Sequence, residues 1–154
     1  MNDQGIGSNV VCQVGLIVRD IERSIEAYSR IFGMSKPEFV VTDGQEVAHT
    51  RYRGEPTDAR AKLAFFNMGQ VTLELIEPIG GPSTWQEFLD EKGEGVHHIA
   101  FFVEDTDQVV ESLKENNIGV IQQGDYTGGR YTYADSAPAL GVILELLENL
   151  DTSG

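Results

Sequence analysis

The sequence contains the same pattern twice, and this internal repeat limits the folds that the chain can adopt. The run QVGLIVRD at 13–20 aligns with HIAFFVED at 98–105, at an offset of 85 residues. Later in each half, LELIE at 73–77 aligns with LELLE at 144–148, at an offset of 71 residues. Two matches in the same order predict two copies of one supersecondary unit, which bury a shared core.

Hydrophobic periodicity predicts a helix and several short strands in each half of the chain. The first half is predicted to form a helix between Asp20 and Gly33, and strands at 10–18, 39–41, 47–52, 62–67 and 71–77. The second half is predicted to form a helix at 106–116, and strands at 96–103, 118–122, 130–134 and 142–147. Although the first half has one additional short strand, we interpret both halves as strand, helix and three strands. The first half is longer by 14 residues, and the surplus is expected around a polar loop at 54–60.

These patterns predict the organisation of the whole chain. The expected segments are a flexible N-terminus at 1–9, a first βαβββ module at 10–77, a linker with a short helix at 78–95, a second βαβββ module at 96–148 and a flexible C-terminus at 149–154.

Four residues with metal-binding side chains occupy aligned positions of the repeat, namely Gln13, Glu74, His98 and Glu145. Side chains two apart share one face of a strand, so each of the four lies on an otherwise apolar or small-residue face. Taken alone, each is more typical of a strand end or a solvent face. Two-fold symmetry would bring them together, and a buried carboxylate needs a partner or a cation. The four therefore predict a metal site of one nitrogen and three oxygens, whereas His97 is expected at the surface or behind the site.

The charge of the chain argues against several classes of partner. The sequence has 25 acidic and 11 basic residues, which give a formal net charge of −14. Such a surface repels nucleic acid and anionic membranes. No apolar run is long enough to span a bilayer, and the first residues do not resemble a signal peptide. Because Cys12 is the only cysteine, no internal disulfide is expected, and we predict a cytoplasmic protein.

The runs VGLIVRDIERSIEAYSRIFGM, GEGVHHIAFFVED and GVILELLE resemble the vicinal-oxygen-chelate superfamily, which includes glyoxalases, bleomycin-resistance proteins and dioxygenases. The resemblance extends over about 10–148. It implies an α+β, glyoxalase-like fold, in which two tandem βαβββ modules form a cleft around one divalent metal ion such as Zn, Co, Ni or Mn. It also implies a homodimer.

Within this superfamily the second and third runs are most similar to methylmalonyl-CoA epimerases, whereas the ligand set is similar to that of eukaryotic-type glyoxalase I. The epimerases usually have His where this chain has Gln13, and a His-Pro pair where it has Asp135-Ser136. Their acidic run before the third strand is represented only by TDGQEV, which leaves Glu46 as the candidate for a second base. The extradiol dioxygenases use two His and one Glu, so Gln13 argues against iron–oxygen chemistry.

We expect a metal-dependent isomerase or epimerase that moves a proton next to a carbonyl group. The similarity to glyoxalase I implies Glu145 as the base. The first candidate substrate is a methylmalonyl-CoA-like acyl thioester. The alternatives are lactoylglutathione lyase chemistry on a glutathione adduct, and non-catalytic binding of a small molecule. The first half also contains a group of basic residues. They are expected either to hold an anionic substrate or to form a solvated face, and they are Arg51, Arg53, Arg60 and Lys62.

Overall fold

Ten strands and five helices build the part of the chain that the computed structural model describes, which is residues 5–150. In chain order they are β1 (Gln13–Ile17), α1 (Ile21–Phe32), β2 (Val40–Val41), α2 (Gln45–Ala48), β3 (Arg51–Tyr52), β4 (Glu55–Pro56), β5 (Arg60–Asn67), β6 (Thr72–Ile79), α3 (Thr84–Lys92), β7 (Gly95–Phe102), α4 (Thr106–Lys114), β8 (Val120–Tyr126), β9 (Gly129–Ala134), α5 (Ala137–Leu140) and β10 (Ile143–Asn149). The predicted flexible termini at 1–9 and 149–154 lie partly outside the described residues.

All ten strands belong to one curled mixed sheet, in the order β2-β5-β6-β1-β7-β10-β9-β8-β3-β4. The first strands of the two repeats, β1 and β7, pair antiparallel and join the repeats in the middle of the sheet. From this pair each repeat extends outward in the same way, since β6 is parallel to β1 and β10 is parallel to β7. The two repeats are thus related by an approximate two-fold axis at the pair. This topology confirms the predicted α+β, glyoxalase-like fold.

Equivalent capping residues start the two long helices of the repeats. The Asp20 side chain accepts a hydrogen bond from Arg23 N at the start of α1, and Asp105 accepts one from Gln108 N at the start of α4. Such caps satisfy amide groups that have no partner inside the helix. The helix predicted at 106–116 ends earlier, at Lys114.

The helices and the predicted ligands occupy opposite faces of the sheet. Helix α1 packs Ile21 and Ile25 against Leu75 of β6, and α4 packs Val109 against Leu144 of β10. The neighbouring residues of β6 and β10 point to the other, concave face, because side chains alternate along a strand. No helix within residues 5–150 is long and apolar enough to cross a membrane.

The strand predicted at 47–52 is wrong, because its first two residues belong to a helical turn and only its last two are extended. Residues Gln45–Ala48 form α2, and only Arg51–Tyr52 are extended. The Gln45 side chain donates hydrogen bonds to the carbonyl oxygens of Thr50 and Thr57, and these bonds hold the segment in its folded shape. Strand β3 then pairs with β8 of the second repeat. The surplus residues of the first repeat therefore connect it to the far edge of the second.

Candidate metal centre

The sheet register brings the four predicted ligands together in two adjacent rows. In the first row, Ala100 of β7 lies between Gln13 of β1 and Glu145 of β10. In the second row, Gly15 of β1 lies between His98 and Glu74. Each row thus contains two ligands separated by a small residue. The small residues leave space above the centre of the sheet, and the four longer side chains converge into it.

The four donor atoms converge to distances that suit a metal ion. His98 Nε2 lies 3.1 Å from Gln13 Oε1, 3.2 Å from Glu145 Oε1 and 3.4 Å from Glu74 Oε1. Four ligands about 2.0–2.1 Å from a tetrahedral ion would lie about 3.3 Å from one another. Glu74, His98 and Glu145 are all buried, and their donor atoms form a group that could hold a metal ion. The residues present therefore fit a divalent cation of zinc-like size.

The Gln13 amide reaches both carboxylates, and either its oxygen or its nitrogen atom can face them. Its Oε1 atom lies 2.9 Å from Glu145 Oε1 and 3.2 Å from Glu74 Oε1. Oxygen atoms this close repel one another unless a cation or a proton lies among them. If the amide is turned over, its NH₂ group donates hydrogen bonds to both carboxylates instead. Gln13 can thus present its oxygen atom to a bound cation or its NH₂ group to the two carboxylates.

Two buried carboxylates next to one imidazole favour a proton on that imidazole when no metal is bound. Burial alone would lower the pKa of His98, but the charges and hydrogen bonds of Glu145 and Glu74 raise that pKa to about 10. Burial raises the pKa of Glu74, and the nearby charge of Glu145 raises it further. A metal ion must therefore displace a proton from His98, because an imidazole binds a metal in its neutral form.

His97 lies directly behind His98 and is almost fully buried. Its Nδ1 atom lies 2.9 Å from His98 Nδ1, and its Nε2 atom lies 3.2 Å from Thr84 Oγ1. Burial lowers the pKa of His97 well below its ordinary value, and the charge of His98 lowers it further. A neutral His97 can accept the Nδ1–H of His98 and donate its own Nε2–H to Thr84. This arrangement directs His98 Nε2 toward the other ligands.

A cavity of about 440 Å³ opens over the ligands and contains Gln13, Glu74 and Glu145 in its lining. Much of its wall is apolar, including Val41, Leu63, Phe65, Trp85, Phe102 and Leu147. A pocket of this size with a few polar groups at its base is typical of small-molecule sites.

Comparisons with known proteins identify the family. Residues 12–134 match the glyoxalase/bleomycin resistance protein/dioxygenase superfamily. The chain belongs to this superfamily. The match covers most of the sequence and agrees with the resemblance found in the repeated runs.

Several relatives of this chain are named as epimerases. It is 28% identical to the 2-epi-5-epi-valiolone epimerase of Actinomyces sp over 156 residues, covering 96% of this chain and 84% of that protein. It is 25% identical to the mitochondrial methylmalonyl-CoA epimerase of Bos taurus over 137 residues, covering 86% and 70%. A variant of the Streptomyces coelicolor methylmalonyl-CoA epimerase, in complex with 2-nitronate-propionyl-CoA, superposes with a TM-score of 0.63 at 23% identity, covering 93% and 99%.

The structure separates Glu46 from the other predicted site residues. Glu46 is exposed on α2 and does not line the cavity, whereas Asp43, three residues earlier, does. The predicted basic residues also lie outside the lining.

Sequence reasoning missed two tyrosines that complete the base of the cavity. Tyr133 lies opposite Glu145 in the pairing of β9 with β10, and Tyr131 lies opposite Leu147. The signal was the YTY run at 131–133, where alternate aromatic side chains share a face with the ligand on the adjoining strand. Burial raises the pKa of Tyr133 well above its ordinary value, and the charges of Glu145 and Glu74 add to this effect. Burial also raises the pKa of Tyr131, so both tyrosines offer neutral hydroxyl groups.

Proposed function

We propose that this superfamily member is a metal-dependent epimerase or isomerase that transfers a proton next to a carbonyl group. The observation that carries the proposal is the convergence of two carboxylates, an imidazole and an amide oxygen at the base of an apolar cavity. Gln13, Glu74, His98 and Glu145 would hold a divalent ion, for which Zn, Co, Ni and Mn are candidates. Such an ion would stabilise the negative charge that builds up on the substrate oxygen as the proton leaves.

Glu145 is the proposed base. Its carboxylate is buried and lines the cavity, where a bound substrate would meet it without intervening water. Glu74 is the other carboxylate at this position, and the likeness of the ligand set to that of glyoxalase I favours Glu145. The apolar walls support proton transfer because they exclude water and strengthen electrostatic interactions inside the site.

Tyr133 is proposed to orient the substrate beside Glu145. Its hydroxyl group accepts a hydrogen bond from Trp85 Nε1 at 3.0 Å, so its own proton remains available to a substrate oxygen. The raised pKa of Tyr133 keeps this proton in place at neutral pH.

Inversion at carbon needs a second acid on the opposite face of the substrate, and two residues between β2 and β3 are candidates. Glu46 was proposed from the sequence, and reaching the cavity would require α2 to move. Asp43 already lines the cavity. We propose to compare Asp43→Asn with Glu46→Gln, because the variant that loses inversion while retaining proton exchange identifies the second acid.

Epimerisation is favoured over lactoylglutathione lyase chemistry because the relatives described above are named as epimerases. Candidate substrates are a methylmalonyl-CoA-like thioester, a hydroxy ketone related to valiolone and, for the lyase alternative, a glutathione adduct. Binding without catalysis is the third alternative. The homodimer and the cytoplasmic location remain predictions.

The test is incubation of the metal-loaded protein in deuterated water with each class of substrate. We expect deuterium to appear at the carbon next to the carbonyl group, detected by NMR, and Glu145→Gln to slow this exchange by about a hundredfold or more. Equal exchange in Glu145→Gln would show that another residue is the base. An absence of exchange with all three classes, although the metal is bound, would contradict the proposed function and favour a binding role.

A further inference from the structure

We infer that the part of the substrate that enters the cavity is uncharged, and that it is a compact hydroxy ketone or hydroxy aldehyde rather than an acyl group with a free carboxylate. The inference rests on the proposed function, because it names the substrate class for the same site. Three features of the cavity carry it: the charge of the ligand set, the charge of the wall and the positions of the cations outside it.

The ligand set balances the charge of a divalent ion. Glu74 and Glu145 contribute two negative charges, whereas Gln13 and His98 bind a metal as neutral groups. The loaded centre therefore has a formal charge of zero. A centre with only one carboxylate ligand would keep a charge of +1, which attracts a second carboxylate from the substrate. Here an incoming carboxylate would meet no excess positive charge at the base of the cavity.

The cavity wall adds negative charge rather than positive charge. Asp43 and Asp125 line the cavity with Glu74 and Glu145, and within the described chain no Lys or Arg belongs to the lining. One carboxylate oxygen of Asp125 lies 3.1 Å from Arg130 Nε, and the other lies 3.0 Å from His49 Nδ1. Asp43 takes part in none of the ion pairs found among residues 5–150. An anionic substrate would therefore face an uncompensated carboxylate.

The four basic residues that the sequence offered as anion contacts point to other partners. Arg53 binds Glu87 at 2.9 Å, and Lys62 lies 3.6 Å from Glu77. The two remaining side chains donate hydrogen bonds to backbone carbonyls, Arg51 to Gly54 and Arg60 to Thr42. None of the four lines the cavity. An anionic group inside the cavity would therefore not be in contact with any of these four cations.

The polar groups that do line the cavity suit neutral hydroxyl groups. Thr50, Thr127 and Tyr126 can donate and accept hydrogen bonds, and the Asp43 carboxylate can accept them. The volume of about 440 Å³ admits a small ring or a short chain. Its apolar walls can contact the C–H faces of such a molecule, while the hydroxyl groups reach the polar residues.

Two ring compounds that differ by one carboxylate provide the test: 2-hydroxycyclohexanone, and the same ring carrying a carboxylate as 3-hydroxy-4-oxocyclohexanecarboxylate. Calorimetry measures the affinity of each for the metal-loaded protein. We expect the neutral ring to bind at least about tenfold more tightly, because the carboxylate is repelled at short range. Equal or tighter binding of the anion would overturn the inference, and a loss of that binding in Arg130→Gln would show that Arg130 holds it.

A charge change within the lining makes the test specific. Asp43→Lys should shift the preference toward the anion by about tenfold or more, and the milder Asp43→Asn should shift it in the same direction by less. Glu38→Lys makes the same charge change at an exposed residue outside the lining, so it should leave the preference unchanged. Equal shifts in Asp43→Lys and Glu38→Lys would assign the preference to the overall charge of the protein and would contradict the inference.

Deuterium exchange separates this inference from the proposed function. Tight binding of the neutral ring without exchange, together with no exchange in the wider substrate panel, would contradict the function but not the substrate class. Faster exchange with a carboxylate-bearing thioester than with any neutral ketone would contradict the substrate class while supporting the function.

Discussion

A Cβ atom on Gly15 would lie 2.5 Å from both ring nitrogens of His98, so the imidazole occupies the space that a side chain on β1 would need. The same row of the sheet places Glu74 on the other side of Gly15. The absence of a side chain at residue 15 thus allows the imidazole and the carboxylate to meet above the strand that separates them.

Gly15→Ala should therefore damage the metal centre. The added methyl group would displace His98, and we expect zinc affinity to fall about a hundredfold and the free energy of unfolding to fall by about 1–3 kcal/mol. Zinc titration and urea unfolding measure the two effects. Gly119→Ala is the matched control, because a Cβ atom there meets nothing within 4 Å. Parent-like zinc affinity in Gly15→Ala would show that the ring does not need its observed position.

His97 should act on the metal through the orientation of His98. Replacing His97 by Leu removes the acceptor for His98 Nδ1–H, so metal affinity should fall about 10–100-fold. His97→Asn keeps a side-chain oxygen that can accept this hydrogen bond, and it should lose less affinity than the Leu variant. Competition with a chelating dye measures both affinities. Identical losses in the two variants would assign His97 a packing role only.

Metal binding should depend on pH because it displaces a proton from His98. In the unloaded protein Glu145 and Glu74 raise the pKa of this imidazole to about 10, so the ring carries a proton at neutral pH. Affinity should rise about tenfold for each pH unit between about pH 7 and 9, and binding should release about one proton from His98. Calorimetry in buffers with different protonation enthalpies counts the protons. Release of none at pH 7 would mean that His98 is already neutral before the metal binds.

The sequence predicted the centre of the fold better than its edges, for physical reasons. The ligands lie on strands whose alternation is regular, so strand parity and the repeat together predicted that Gln13 and His98 would meet. Helix α1 was also predictable, because Asp20 and Gly33 mark its ends.

The segment between β2 and β5 was not predictable in the same way. Its shape depends on hydrogen bonds from the Gln45 side chain to the backbone, and on pairing with β8, about 70 residues away in the sequence. Neither the side-chain hydrogen bonds nor this long-range pairing produces a periodic pattern in the sequence. The roles of Asp43 and Asp125 in the cavity lining depend on the curl of the whole sheet, which single-strand parity does not describe.

The most direct test of the metal centre is the amount of zinc bound by the purified protein and its single-residue variants, measured by plasma mass spectrometry after dialysis. We expect about one zinc ion per chain in the parent protein, less than about a tenth of that in His98→Ala and Glu145→Ala, and an intermediate amount in Gln13→Ala, whose neutral amide contributes less charge. Circular dichroism would verify that each variant is folded. Zinc contents equal to the parent in all three folded variants would contradict the assignment of this site.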